Sequence, residues 1–233
     1  MIKSFLILII SSISLFSSQQ IILVVADDFN TSNAKLEFFE DAKRLLSFNV
    51  NIGENGLGWG IGEIKLTQNS NEPLKYEGDK KAPIGVFKLT DIFGYDFSTK
   101  SDMPYLHTSK ELICVDDSES NFYNHIIQAK GDEKSFEYMR RDDNQYKYGV
   151  AVAHNKMGEY RRGSCIFLHI EKKPNAPTAG CTSMKEEDLK QIVQLLDKSK
   201  NPILIQIPKK FTKEISKLFP QLKKSKLLLT NPL

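Results

Sequence analysis

Apolar and polar positions alternate along much of this chain in runs of four to seven residues, the period and length of β-strands. Ile21-Ile22-Leu23-Val24-Val25 is rich in β-branched residues and predicts a buried strand. Leu46, Phe48, Val50 and Ile52 alternate with Ser47, Asn49 and Asn51, the pattern of a strand with one wet face. Further strands are predicted at Ile64–Leu66, Gly85–Leu89, Tyr148–Ala153, Ile166–Ile170 and Ile203–Ile207. Gly53, Gly56, Gly58, Gly60 and Gly62 punctuate a turn-rich stretch around Trp59, the single tryptophan. One helix is signalled. Ser183 as N-cap and Glu186 at N3 form a capping box, and Leu189, Ile192, Val193 and Leu196 make one apolar stripe before Asn201-Pro202. Short strands separated by loops predict a mainly β domain rather than a βαβ succession. No internal repeat or low-complexity linker interrupts it.

Two ends depart from this pattern. Phe5 to Phe16 is an uncharged run of Leu, Ile, Phe and Ser behind Lys3. It is too short to span a hydrocarbon core of about 30 Å comfortably. It is expected to be a signal peptide over residues 1–18, an uncleaved anchor being the alternative. From Lys209 to Leu233 there are seven lysines and one glutamate, a net charge of +6, and Phe211, Ile215, Leu218 and Phe219 share a helical face. That segment is either a basic tail for an anionic wall or membrane surface, or a helix packed on the domain with a solvated end. The expected folded domain lies between, over residues 19–208.

Composition removes several classes. With 40 % hydrophobic and 26 % charged residues in 233, the chain is ordinarily globular. A net charge of +3 sets nucleic acid aside as a partner. Three cysteines, Cys114, Cys165 and Cys181, are an odd number, so an exported chain must leave one thiol unpaired within the molecule. Cys114 and Cys165 either form a disulfide or are buried apolar residues.

The densest chemistry runs from Gly163-Ser164-Cys165-Ile166-Phe167-Leu168-His169, through a loop with Pro174 and Pro177, to Thr178-Ala179-Gly180-Cys181-Thr182-Ser183. It places an imidazole at a strand end and a Gly-Cys pair just before a predicted helix, whose dipole would lower the thiol pKa. A Cys–His pair of this kind performs acyl transfer. Gly180 lets a substrate approach the backbone, and N–H groups at Gly180 and Thr182 are candidates to hold an oxyanion. Arg140 and Arg141 are candidates for binding a carboxylate, against a solvated charge cluster with Asp142 and Asp143. A zinc site needs about four donors, and His107, His125 and His154 show no compact spacing, so neither metal nor cofactor is expected.

The chain resembles the YkuD-type L,D-transpeptidases. The resemblance rests on Asn55-Gly56-Leu57-Gly58-Trp59-Gly60, Glu77 to Phe87, Cys114-Val115-Asp116-Asp117, Tyr123-Asn124, and Gly163 through Cys181. It implies a mainly β, α+β domain with a mixed sheet and a helix after the catalytic cysteine. It implies His169 and Cys181 as the catalytic pair, acting on peptidoglycan stem peptides in the periplasm or cell envelope. The reaction implied is a thioester at Cys181 with the third stem residue, then transfer to an amine, or to water in L,D-carboxypeptidase trimming. The family's histidine before Gly-Cys and arginine soon after it are absent, since Ala179, Thr182 and Ser183 stand there. Two rivals remain outside it. A non-catalytic wall-binding module would not need both His169 and Cys181, and a papain-like hydrolase places cysteine before histidine, the reverse of the order here.

Overall fold

A computed structural model describes residues 18–229. The predicted leader therefore lies almost wholly outside the described residues. In chain order the strands are β1 (Gln20–Ala26), β2 (Asn33–Glu40), β3 (Lys43–Asn51), β4 (Leu57–Trp59), β5 (Ala82–Gly94), β6 (Tyr105–His107), β7 (Leu112–Val115), β8 (Ile126–Gln128), β9 (Phe136–Tyr138), β10 (Tyr148–Val152), β11 (Phe167–Ile170), β12 (Thr182–Met184) and β13 (Ile203–Pro208). The helices are α1 (Glu186–Leu195), α2 (Thr212–Leu218) and α3 (Lys226–Leu229). Strands take 36 % and helices 14 %, the mainly β, α+β class expected.

The main sheet runs β10-β11-β12-β3-β2-β1-β13-β5, and β5 also pairs with β10, so the ring closes. The 13-residue β5 makes this possible: its Gly85–Lys88 stretch pairs with β13 and its Leu89–Gly94 stretch with β10. Pairing is mixed, with β1–β13 and β11–β12 parallel and most other pairs antiparallel. Closure leaves no long open edge in the ring. Leu23, Leu36, Ile84, Leu168, Leu189 and Leu204 belong to one buried apolar cluster that covers both faces of the ring's strands. A separate three-stranded sheet, β8-β7-β9, is inserted between β5 and β10.

Three expectations need correction. Ile64–Leu66 is not a strand: Ile64 is 40 % exposed, and only Leu66 is buried. The helix does not start from Ser183. The β12 ladder with β11 and β3 holds Ser183 extended, so Lys185 becomes the N-cap, without a side-chain cap bond, and α1 begins at Glu186. The helix also ends at Leu195, ahead of a 3-10 turn at Lys198–Lys200 and a left-handed Asn201.

Packing does not stop at Pro208. Phe211, Ile215, Phe219 and Leu222 are buried in the main core, while Leu218 is 48 % exposed. The Phe211 ring meets Trp59 edge-on at 5.0 Å. Ser225 Oγ donates to the buried Glu37 carboxylate at 2.5 Å, and Arg44 Nη1 donates to the same carboxylate. The apolar face expected after residue 208 is thus part of the core, and its lysines point away from it.

Candidate active site

Sheet register sets Cys181 and His169 on the same face of the sheet. In the parallel β11–β12 pair, Leu168 lies opposite Thr182 and His169 opposite Ser183. One step back, Phe167 lies opposite Cys181, and its N–H donates to the Cys181 Sγ at 3.3 Å. Side chains alternate across a sheet, so Leu168, Thr182, Ile170 and Met184 face the ring interior. Phe167, His169, Cys181 and Ser183 face the other side. The Pro174–Pro177 loop closes the crossover, pinned where Thr178 N–H donates to the Ile52 carbonyl.

That outer face is covered by the inserted sheet. Cys181, Phe167, Phe93 and Tyr146 pack with Leu112 and Cys114 of β7, with Met139 and with Cys165. Cys114 and Cys165 are joined in a disulfide with Cα atoms 6.0 Å apart, leaving Cys181 as the free cysteine. The open alternative for these two residues is thereby resolved. Cys165 sits at φ +53°, and its N–H donates to Asn124 Oδ1 at 2.9 Å. Glu77 Oε2 accepts from both Tyr123 and Ser164 hydroxyls at 2.6 Å, and Gly163 N–H donates to Tyr123 Oη at 3.0 Å. The Glu77-Gly78-Asp79 loop therefore anchors the turn that leads into Cys165.

Both members of the pair are buried, Cys181 at 8 % and His169 at 5 % exposure. His169 Nδ1 lies 2.8 Å from the Ile170 carbonyl, which only accepts, so Nδ1 carries the proton and Nε2 the lone pair. Burial pulls the His169 pKa down to about 4. Burial also pushes the Cys181 thiol up to about 12, with Glu137 adding to the rise and the Phe167 N–H, Lys75 and Arg141 opposing it. The expected lowering by a helix dipole is not found, because β12 separates the thiol from α1. At neutral pH the resting pair is a thiol and a neutral imidazole.

The Tyr146 ring lies 5.4 Å from the His169 ring, edge to face, and its hydroxyl donates to Glu137 Oε2 at 2.6 Å. Burial raises the Glu137 carboxyl above the ordinary range. Arg141 stacks over Tyr146 at 5.2 Å and forms a two-point ion pair with Asp143. Arg140 stacks over Tyr95 and donates to the Tyr95 and Thr108 carbonyls. Both arginines, with Lys110 and Tyr138, line a cleft of about 430 Å³. Arg141 pairs with the exposed Asp143, as the charge-cluster reading has it, and both arginines also stand at the cleft wall.

Gly180 has φ +150°, and a Cβ there would stand 3.0 Å from the Lys81 carbonyl oxygen. Its N–H donates to Thr178 Oγ1 at 3.1 Å, so in the resting state it is engaged. The Thr182 hydroxyl points inward to Gln206 Oε1 at 2.7 Å. The Ser183 hydroxyl is buried without a hydrogen-bond partner. Among the described residues, no group of three or more His, Cys, Asp or Glu side chains is placed to hold a metal ion. Sequence reading passed over Lys75, Glu137 and Tyr146, which surround the pair and belong to segments without distinctive spacing.

A family model described as the L,D-transpeptidase catalytic domain, YkuD, matches residues 23–205 of this chain. No curated protein and no solved structure matches it.

Proposed function

The chain belongs to the L,D-transpeptidase catalytic-domain family, whose catalysis is directed at peptidoglycan, and from that premise we propose that it is an exported cysteine acyltransferase of the cell envelope. Cys181 is the nucleophile and His169 the base. The observation that carries this reading is the β11–β12 register, which sets both side chains on one face of adjacent parallel strands.

In the first half-reaction, His169 Nε2 takes the thiol proton as Sγ attacks the carbonyl carbon of the third stem residue. The oxyanion is met by backbone N–H groups around Cys181, Gly180 being freed from Thr178. The amide bond breaks, the imidazolium gives its proton to the departing D-alanine amine, and a thioester remains. In the second half, an acceptor amine attacks the thioester and loses its proton to His169. An amide forms, and the thiol is regenerated with that proton. A stem carboxylate would reach Arg140 and Arg141 at the cleft wall beyond Tyr146 by exchanging for the Asp143 carboxylate and the Tyr95 and Thr108 carbonyls they now hold.

Lys210, Lys213, Lys217, Lys223, Lys224 and Lys226 are exposed and give the C-terminal segment a basic surface suited to an anionic wall polymer or membrane. The signal-like Phe5–Phe16 run supports export.

The test is intact-mass analysis of the purified protein. A carbapenem should add one covalent adduct that Cys181→Ala abolishes. Muropeptides should then give crosslinked dimers, whereas shortened stems alone would make the enzyme an L,D-carboxypeptidase. An adduct that persists in Cys181→Ala would refute the assignment of the nucleophile.

A further inference from the structure

Lys75 is a buried cation beside the reaction centre, with 3 % of its surface exposed. Its side chain runs beneath two glycines. A Cβ at Gly163 would meet Lys75 Cε at 2.9 Å, and one at Gly180 would stand 3.5 Å from Nζ. No side chain thus separates the ammonium from the backbone that carries Cys181. Nζ donates to Asp79 Oδ1 at 2.6 Å and to the Tyr76 carbonyl at 2.8 Å. An ammonium has three protons, so one remains. Asp79 also accepts from the Tyr76 and Lys81 N–H groups, closing residues 75–81 into a tight loop. The Lys81 carbonyl of this loop is the atom that Gly180 passes most closely.

Burying a lysine is expensive unless its charge is used or paired. Pairing with Asp79 accounts for its tolerance but not for its place under Gly180. The other charged groups acting on Cys181 are Glu137, which opposes a thiolate, and Arg141, which like Lys75 is paired with an aspartate but stacks on the Tyr146 side rather than against the Gly180 backbone. Tyr146 and His169 face the thiol side as neutral rings.

We propose that Lys75 is a positioning residue of the Cys181 centre: its ammonium holds the loop against Gly180 and supplies the positive field that stabilises the thiolate and then the oxyanion. This rests on Cys181 as the nucleophile. In a water-excluded site such a fixed charge acts far more strongly than in solvent. Lys75 touches neither substrate nor sulfur, so its action is through the field and the Gly180 backbone.

The experiment is the rate of iodoacetamide alkylation of Cys181 in the oxidised full-length protein between pH 7 and 9.5, read by mass spectrometry. Lys75→Met should slow alkylation about tenfold, and Lys75→Arg should stay within about threefold of wild type. Asp79→Asn, which leaves the ammonium unneutralised, should raise the rate several-fold. The opposite signs matter. A merely structural loop, once loosened, would admit water to the thiol and speed alkylation in both Lys75→Met and Asp79→Asn. Equal rates, or a faster Lys75→Met, would overturn the proposal. If Lys75→Met fails to fold, Lys75→Gln takes its place, and a rate equal to or above wild type there overturns the proposal. Absence of a carbapenem adduct on the wild-type protein would instead remove the acyl-transfer reading and leave this comparison standing.

Discussion

Cys181 and Cys165 meet through the backbone rather than through sulfur: the free thiol donates to the Cys165 carbonyl at 3.4 Å, while the Cys165 sulfur is bonded to Cys114. The proposed nucleophile therefore rests with its proton pointed at a carbonyl, and the proposed reaction requires that proton to pass to a base.

That base is tested by His169→Gln. The amide can keep a hydrogen bond to the Ile170 carbonyl, so the fold should persist with Tm within a few degrees of wild type. Loss of general-base assistance should slow carbapenem acylation roughly 10²-fold or more. An unchanged acylation rate would make His169 structural.

Removing the disulfide with Cys114→Ser and Cys165→Ser together opens a link between residues 51 apart in sequence. Loss of a crosslink of that span costs roughly 2–4 kcal/mol. The inserted sheet hangs on this bond, so carbapenem acylation should fall together with the midpoint of urea unfolding. Retention of both would show that the β7–β9 sheet holds itself.

Gly180→Ala places a side chain at φ +150° against the Lys81 carbonyl. Backbone strain of this type costs about 1–3 kcal/mol. Acylation should drop steeply while the far-UV spectrum is kept, and an active Ala variant would mean that the backbone at Cys181 need not approach so closely.

Acid should destabilise the protein. His154 and His169 are each pulled by burial to about 4, whereas an unfolded ring titrates near 6.5. A depressed histidine contributes stability that is complete above about 6.5 and lost as pH falls through the folded value, at about 1.4 kcal/mol per unit of depression. Glu137, raised by burial, works oppositely, its contribution being lost as pH rises. Tm should fall between pH 6.5 and 4, and His154→Gln should flatten that slope. A Tm constant over this range would contradict the buried, neutral state of both rings.

The C-terminal segment separates into two tests. Truncation after Pro208 removes Phe211, Ile215, Phe219 and Leu222, each buried apolar side chain worth about 1.5–3 kcal/mol, and strips Glu37 of Ser225. The truncated chain should not accumulate as a folded monomer. Changing exposed Lys213, Lys217, Lys223 and Lys224 to Gln should leave Tm alone and abolish low-salt sedimentation with isolated walls or anionic vesicles. Sedimentation that survives those four changes would exclude this face as an electrostatic anchor.

What could be read from the sequence follows burial geometry. β1, β3, β10, β11 and β13 were legible because each carries a clean apolar run or alternation, as in Ile21–Val25 and Leu46–Ile52. β2 was not, because Glu37 is buried on its outer face by Arg44 and Ser225, which breaks the wet-face rule. The three-residue strands β8 and β9 are too short to show any period. His169 and Cys181 stood out through family-like wording, but their joint face depends on the β11–β12 register, and no local pattern encodes that. Lys75 reads as an ordinary surface lysine until Gly163 and Gly180 fold over it.

The proposed catalytic pair and the proposed carboxylate-binding arginines also belong to different parts of the fold. His169 and Cys181 sit on or beside ladder strands whose opposite faces build the main core, so changing their spacing would disturb the whole barrel. The inserted stretch from Tyr95 to Lys147 carries Arg140, Arg141 and Glu137, enters and leaves the ring at neighbouring strands β5 and β10, and is stitched to it by Cys114–Cys165. It can be exchanged like the bit of a drill while the chuck stays fixed. Under the proposed function, swapping this stretch between related chains should alter which wall fragment is accepted without rebuilding the reaction itself.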